Sequence, residues 1–222
     1  MSRPEGARVD VTALGYVARV LHTLAEVLFP GACPGCGARA EPICAACADG
    51  LVPATRIPPP PGLDACIAAF AYAGAARELV ARVKYRNRRT AVPWLADAMV
   101  AAFGSARSAS TPDVVTWVPT SPERRRARGF DHAELLARAV GTRLRLPTRS
   151  LLTRGAGPAQ TGRSRRLRVE GPPLQARVAL GEQSVLLVDD VLTTGATLRA
   201  GAQALRVAGA HGVQGLVAAW RP

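Results

Sequence analysis

A chain of 222 residues with 48% hydrophobic side chains holds enough apolar material for one main domain and a small appendage, and too much for a disordered polymer. Aromatic residues make up only 5%, so the core is expected to be mostly Ala, Val and Leu, and a ring platform for stacking single-stranded bases is not indicated. The formal net charge of +13, from 29 basic and 16 acidic residues, points to anionic ligands or partners.

In chain order, Leu14, Val17, Val20, Leu21, Leu24, Val27 and Leu28 recur at helical spacing. They predict an amphipathic helix packed on the segment that follows, with a helix lying on a membrane surface as the alternative. Asp10 precedes this apolar run and Arg19, His22 and Glu26 interrupt it, with no small-residue cleavage site, so it reads as neither a secretory signal nor a membrane span. A cytoplasmic location is the expectation.

Cys33-Pro34-Gly35-Cys36 and Cys44-Ala45-Ala46-Cys47 follow, seven residues apart. Each Cys-x-x-Cys turn offers two sulfurs to one side of an ion, so the set suits tetrahedral thiolate zinc. Four thiolates leave no open position for a substrate, so the ion would be structural. Gly35 and Gly37 permit the tight turn beneath it. The competing readings are disulfides, which a cytosolic setting disfavours, and a redox pair, which two knuckles disfavour. The remaining cysteine, Cys66, sits in an apolar run and reads as a small buried hydrophobe.

The expected organisation is an N-terminal helix and cysteine module over 1–52, a proline-rich linker over 53–63 and a main domain over 64–222. Pro58-Pro59-Pro60-Pro61 favours extended polyproline II. Strands are predicted over 66–72, 114–118, 185–188 and 213–219, and helices over 75–83, 92–103, 133–144 and 198–205. Asp131 is the expected N-cap of the third of these helices. Residues 153–175 show little periodicity and read as irregular. Helices alternating with strands predict an α/β fold with a parallel sheet.

Positive charge concentrates between residues 119 and 170, where thirteen arginines face four acids, an excess of nine. Arg124-Arg125-Arg126-Ala127-Arg128 and Arg163-Ser164-Arg165-Arg166-Leu167-Arg168 are its two blocks. Such blocks attract a diphosphate or a nucleic acid, or simply solubilise a surface.

The segment with most chemistry runs from Val185 to Leu198. Four apolar residues lead into Asp189-Asp190, then Thr193-Thr194-Gly195-Ala196-Thr197 enters a helix. Ligand crevices of open α/β sheets lie outside the C-terminal strand ends. There the Thr hydroxyls and first-turn N–H groups make an anion cradle, and Gly195 lets a phosphate approach the backbone closely. The aspartates would repel a bare phosphate. They suit sugar hydroxyls or a magnesium ion on a diphosphate. Neither a Walker A loop nor a dinucleotide fingerprint is present.

This segment resembles the phosphoribosyl-diphosphate motif of type I phosphoribosyltransferases. The resemblance implies that the acidic pair meets the ribose hydroxyls, and that Thr193, Thr194, Gly195, Ala196 and Thr197 wrap the 5′-phosphate. The run from Val118-Pro119-Thr120-Ser121-Pro122 through Arg124-Arg125-Arg126-Ala127-Arg128-Gly129-Phe130-Asp131-His132 resembles ComF-type proteins, as do Phe29-Pro30 and Val83-Lys84-Tyr85-Arg86. That likeness covers nearly the whole chain. It implies a type I phosphoribosyltransferase fold behind a zinc double knuckle, and a link to natural competence. There such proteins help imported single-stranded DNA into the cytoplasm and work with a helicase-like translocase.

Two departures stand out. After Gln160-Thr161-Gly162, the chain has Arg163-Ser164-Arg165-Arg166-Leu167-Arg168-Val169 without the Glu and Asn of the family pattern. Thr193 occupies the position where purine-salvage relatives place an aspartate near the base, and a threonine is no general base near neutral pH. Displacement of diphosphate from ribose C1 would draw on magnesium, with Lys84 and Arg128 adding positive charge. Helix-end charge and surface charge are the other readings of those two residues. Three function classes follow: a transferase on an unknown nitrogenous acceptor, a binding protein for phosphoribosyl diphosphate or a related sugar phosphate, and a competence factor that binds single-stranded DNA or a partner protein.

Overall fold

Residues 184–192 show why this chain builds a sheet covered on both faces. Leu186 and Val188 are buried against one helical layer, while Val185 and Leu187 are buried against another. A strand packed on both sides is apolar at every position, which is how 185–188 reads. In the computed structural model, residues 32–33, 35–40, 43–55, 57–85, 91–106, 110–155 and 171–222 are described, with backbone alone for 82–85. The expected helix over 14–28, the 163–168 arginine block and the side chain of Lys84 lie outside that set.

The described elements are α1 (Ala45–Asp49), β1 (Ala65–Ala71), α2 (Gly74–Tyr85), α3 (Ala91–Ser105), β2 (Val114–Trp117), α4 (Pro122–Arg128), α5 (His132–Leu144), β3 (Leu152–Arg154), β4 (Leu174–Ala176), β5 (Ser184–Leu192), α6 (Ala196–Val207) and β6 (Gly212–Trp220). Four strands form a parallel sheet in the order β1-β6-β5-β2, and β3 pairs antiparallel with β4 beside it. The expected α/β architecture, a parallel sheet flanked by helices, is present.

Leu79, Leu95, Met99, Leu136 and Val140 of α2, α3 and α5 cover one face of the sheet. Leu198, Ala202 and Leu205 of α6 cover the other, with Ile57, Leu63 and Leu152. Gly201 allows α6 to come close, since a Cβ there would stand 2.9 Å from Leu187 Cδ2. The proline-rich segment is tied to the sheet: the Ala54 N–H donates to the Ala69 carbonyl at 3.1 Å, the Ala71 N–H donates to the Val52 carbonyl at 2.8 Å, and Ile57 is buried.

Several elements depart from the sequence pattern: α1 and α4 are not among the predicted helices, the stretch read as irregular carries β3 and β4 at its two ends, and β5 is longer than predicted. β5 runs through both aspartates to Leu192, because β6 continues alongside it and pairs Asp189 with Val217 and Leu192 with Trp220. α4 buries no residue and is carried by its ends: Ser121 caps it by accepting from the Arg124 N–H, Pro122 opens it, and Gly129 closes it at φ 77°.

No helix among the described residues is long and apolar enough to cross a membrane.

Candidate functional site

The four knuckle cysteines converge. Their sulfurs all lie within 4.8 Å of one another, and Cys36 Sγ stands 3.6 Å from Cys44 Sγ. Thiolates at about 2.3 Å from a tetrahedral zinc are about 3.8 Å apart, so the set can hold a metal ion such as zinc. Local backbone builds the cup. Cys33 N–H donates to the Ala38 carbonyl and Gly37 N–H to the Cys33 carbonyl, closing a turn in which Gly37 has φ 86°. Gly35 N–H and Cys44 N–H donate to Cys33 Sγ at 3.3 and 3.4 Å, and Ala38 N–H donates to Cys36 Sγ at 3.5 Å. A Cβ on Gly35 would stand 2.7 Å from Cys47 Sγ, so the glycine keeps the cup open. Burial opposes ionisation of Cys33, but the backbone donors of Cys44, Cys36 and Gly35 outweigh it and hold the thiol at about 6. Burial, with the neighbouring thiols, pushes Cys47 up to about 12. Cys66 lies apart from this cluster, buried on β1, where burial first and the Asp189 charge second push its thiol to about 12.

The second site is the β5–α6 junction. β2 pairs with β5 as far as Trp117 and Val188, with a final bond from Val118 N–H to the Val188 carbonyl at 3.2 Å. Beyond it, among the described strands, β5 continues against β6 while β2 turns away through Pro119. Asp189 and Asp190 therefore stand at the C-terminal edge of the sheet, both half-buried, with Asp189 Oδ1 accepting from the Asp190 N–H at 2.8 Å. Thr193 and Thr194 are exposed, Thr197 is half-buried, and Gly195 and Ala196 are buried. Gly195 caps α6 at φ 72°, Thr194 Oγ1 accepts from the Ala196 N–H at 3.4 Å, and the Arg199 N–H donates to the Gly195 carbonyl at 2.8 Å. The carboxylates, the hydroxyls and the N-terminus of α6 thus follow one another along the chain at the C-terminal end of β5, with Asp189 on the strand face of Leu187 and Asp190 on that of Val188; carboxylates can take a polyol and a helix N-terminus an anion.

Arg128 is the last residue of α4, which follows the loop leaving β2 beside β5. Lys84 lies in the last turn of α2. Asp131, expected only as a cap, does more. Its Oδ1 accepts from the Ala133 N–H at 3.1 Å, and its Oδ2 accepts from the Thr120 N–H at 2.8 Å. One buried carboxylate thereby fixes the loop after β2 against the start of α5, and burial raises its pKa above the ordinary carboxylate value. Packing around the turn is not readable from the motif: Gly195 lies against Pro60, and Gly171 against Ala196.

No family model matches the chain, and no curated protein is detectably similar to it. Among solved structures, an allosteric regulatory enzyme of purine biosynthesis is 27% identical over 59% of this chain and 26% of its own, at a TM-score of 0.38. The glutamine phosphoribosylpyrophosphate amidotransferase from B. subtilis, complexed with ADP and GMP, is 26% identical over 58% of this chain and 26% of its own, at 0.40. A purine phosphoribosyltransferase from Pyrococcus horikoshii Ot3 is 17% identical over 58% of this chain and 83% of its own, at 0.36. The chain spans about a quarter of the length of the first two. Superpositions this partial carry no weight for function, which rests on the site's own geometry.

Proposed function

We propose that the chain is a phosphoribosyltransferase-like protein of the ComF type. It binds phosphoribosyl diphosphate, or a related phosphorylated ribose, at 189–197, and carries a structural zinc ion on Cys33, Cys36, Cys44 and Cys47. The observation that carries the reading is the half-buried Asp189-Asp190 pair at the sheet edge, running without a break into a hydroxyl-lined turn at the N-terminus of α6. The acidic pair suits the ribose hydroxyls and the helical end suits the 5′-phosphate. Magnesium on the diphosphate would neutralise its charge, with Lys84 and Arg128 as candidate basic partners. Thr193 at the acceptor side supplies no base near neutral pH, so binding without turnover is favoured over transfer to a nitrogenous acceptor.

Calorimetry with phosphoribosyl diphosphate and magnesium tests this. Asp190→Ala and Thr194→Val are each expected to weaken binding by about tenfold or more, as removal of one charge-assisted or hydroxyl hydrogen bond would. Variants that bind like the wild type would sink the site assignment.

A second reading, a cytoplasmic competence factor that binds single-stranded DNA and a helicase-like partner, is favoured by α4, where the consecutive Arg124, Arg125 and Arg126 are all exposed, Arg125 within 3.8 Å of Glu134. Replacing these three with Gln is expected to flatten the salt dependence of single-strand binding by about 0.7 in slope for each phosphate no longer neutralised. An unchanged slope would leave α4 a solvated surface.

A further inference from the structure

The proline-rich segment runs along α6. Pro60 lies against Gly195 at the start of the helix: a Cβ on that glycine would stand 2.9 Å from Pro60 Cγ and 3.1 Å from Pro60 Cβ. Gly62, at φ 90°, faces Ala202 midway along, and the Asp64 carboxylate meets Arg206 near the end. The segment is stiff and anchored. The Leu63 N–H donates to the Pro60 carbonyl at 3.1 Å, closing a turn with Pro61 and Gly62 in its centre. Asp64 exchanges two bonds with Val213, accepting its N–H on Oδ2 at 2.8 Å and donating its own N–H to the Val213 carbonyl at 2.9 Å. Ile57 and Leu63 are buried beneath it. Gly171, at φ 79°, lies against the carbonyl of Ala196, the residue after Gly195, and would place a Cβ 3.3 Å from Ala200 Cβ.

We infer that Pro60 and Gly171 are positioning residues that hold the 193–196 turn at two points, Gly195 and Ala196, and keep its amides and hydroxyls in the anion-binding arrangement before a ligand arrives. The assignment of that ligand rests on the phosphoribosyl reading above; the clamp itself does not. A glycine-centred turn with two exposed threonines would otherwise lose freedom on binding, and pre-ordering removes that cost. Pro60 meets the turn through its ring, so loss of the ring removes the contact on Gly195 and leaves every side chain of the 189–197 segment in place.

Amide hydrogen exchange on the ligand-free full chain tests the clamp directly. Pro60→Gly is expected to speed exchange at residues 193–197 by about tenfold, with Pro60→Ala intermediate and Pro58→Gly, at an exposed proline of the same segment, unchanged. Phosphoribosyl diphosphate and ribose 5-phosphate should both bind Pro60→Gly about tenfold more weakly, while magnesium and inorganic diphosphate bind as before. A merely structural role would lower all three together. If the 193–197 amides exchange alike in Pro60→Gly and Pro58→Gly, the clamp is overturned whether or not any sugar phosphate binds. If they differ and the wild type binds no sugar phosphate, the clamp stands and the phosphoribosyl reading falls.

Discussion

The cysteine module and the β5–α6 junction are both short in sequence, but they are completed in opposite ways. The module brings together donors from two turns, and the hydrogen bonds described around its sulfurs, from the Gly35 and Ala38 amides to the Gly37 turn, lie within the same stretch of chain. The junction is contiguous in its chemistry, yet Pro60, Gly171 and the Asp131-held loop frame it from far away in sequence. A thiolate ion site is made of side chains, so its ligands announce it. An anion cradle is made half of backbone, whose geometry depends on what packs against it.

That contrast predicts that the module is separable in function and the junction is not separable from its frame. The largest expected effect is on the module. Cys44→Ala should reduce zinc from about one ion per chain to near none and expose residues 32–50 to proteolysis, since metal binding supplies about 10 kcal/mol or more to such small units. Phosphoribosyl diphosphate affinity should change by less than about threefold, because α1 buries no residue and Ile43, beside Cys44, packs on the sheet face opposite α6. Zinc retained at full occupancy would remove the metal assignment. A collapse of sugar-phosphate binding would show that the module is part of the frame after all.

What is legible in the sequence follows the same division. Strands and helices with an apolar period, such as 114–118 and 133–144, are readable because burial dictates them. The end of β5 is not, since its extension to Leu192 is decided by β6 alongside. α4 escapes because it has no apolar face, although Ser121-Pro122-Glu123 and Gly129 carry the start and stop signals that would have found it. The β3–β4 pair is closed across twenty or so residues of chain, which no local pattern records. At the site, Asp189, Asp190 and the threonines are readable by residue type. The positions of Pro60 and Gly171 against the turn have no signal in the motif, because they are facts of packing.

Asp131 offers a middle-sized test of the frame. It is 4% exposed and accepts two backbone N–H groups. Asp131→Ala should cost about 1–2 kcal/mol in denaturant unfolding by leaving those donors unmet. Sugar-phosphate binding should weaken with it, since the loop after β2 borders the acidic pair. The pH dependence has a definite sign. Burial raises the Asp131 pKa in the folded state, so its contribution is most favourable below the ordinary carboxylate pKa and declines as pH climbs to the raised folded value. Asp131→Asn should remove that decline. Equal slopes in the two proteins over this window would show that the carboxyl is not the titrating group.

The smallest effect belongs to a pair that should matter to neither region. Arg143 on α5 meets Asp97 on α3, with Nη2 3.1 Å from Oδ2, and also donates to the Pro93 carbonyl at 2.8 Å. The Arg143 guanidinium holds the Asp97 carboxyl below its usual range, chiefly through that hydrogen bond. Here the sign is reversed: the stabilisation is present above the ordinary carboxylate pKa and is lost as pH falls through the lowered folded value. Asp97 is 65% exposed, so solvent screens the pair and Asp97→Asn should cost less than about 1 kcal/mol at neutral pH, and less again in high salt. The pair joins two helices on the face of the sheet opposite α6, away from Pro60 and Gly171. Zinc content and sugar-phosphate affinity should therefore be unchanged in Asp97→Asn. If this substitution weakened ligand binding as much as Asp131→Ala, the frame would extend through the whole helical layer, and the distinction between residues that hold the turn and residues that merely hold the fold would fail.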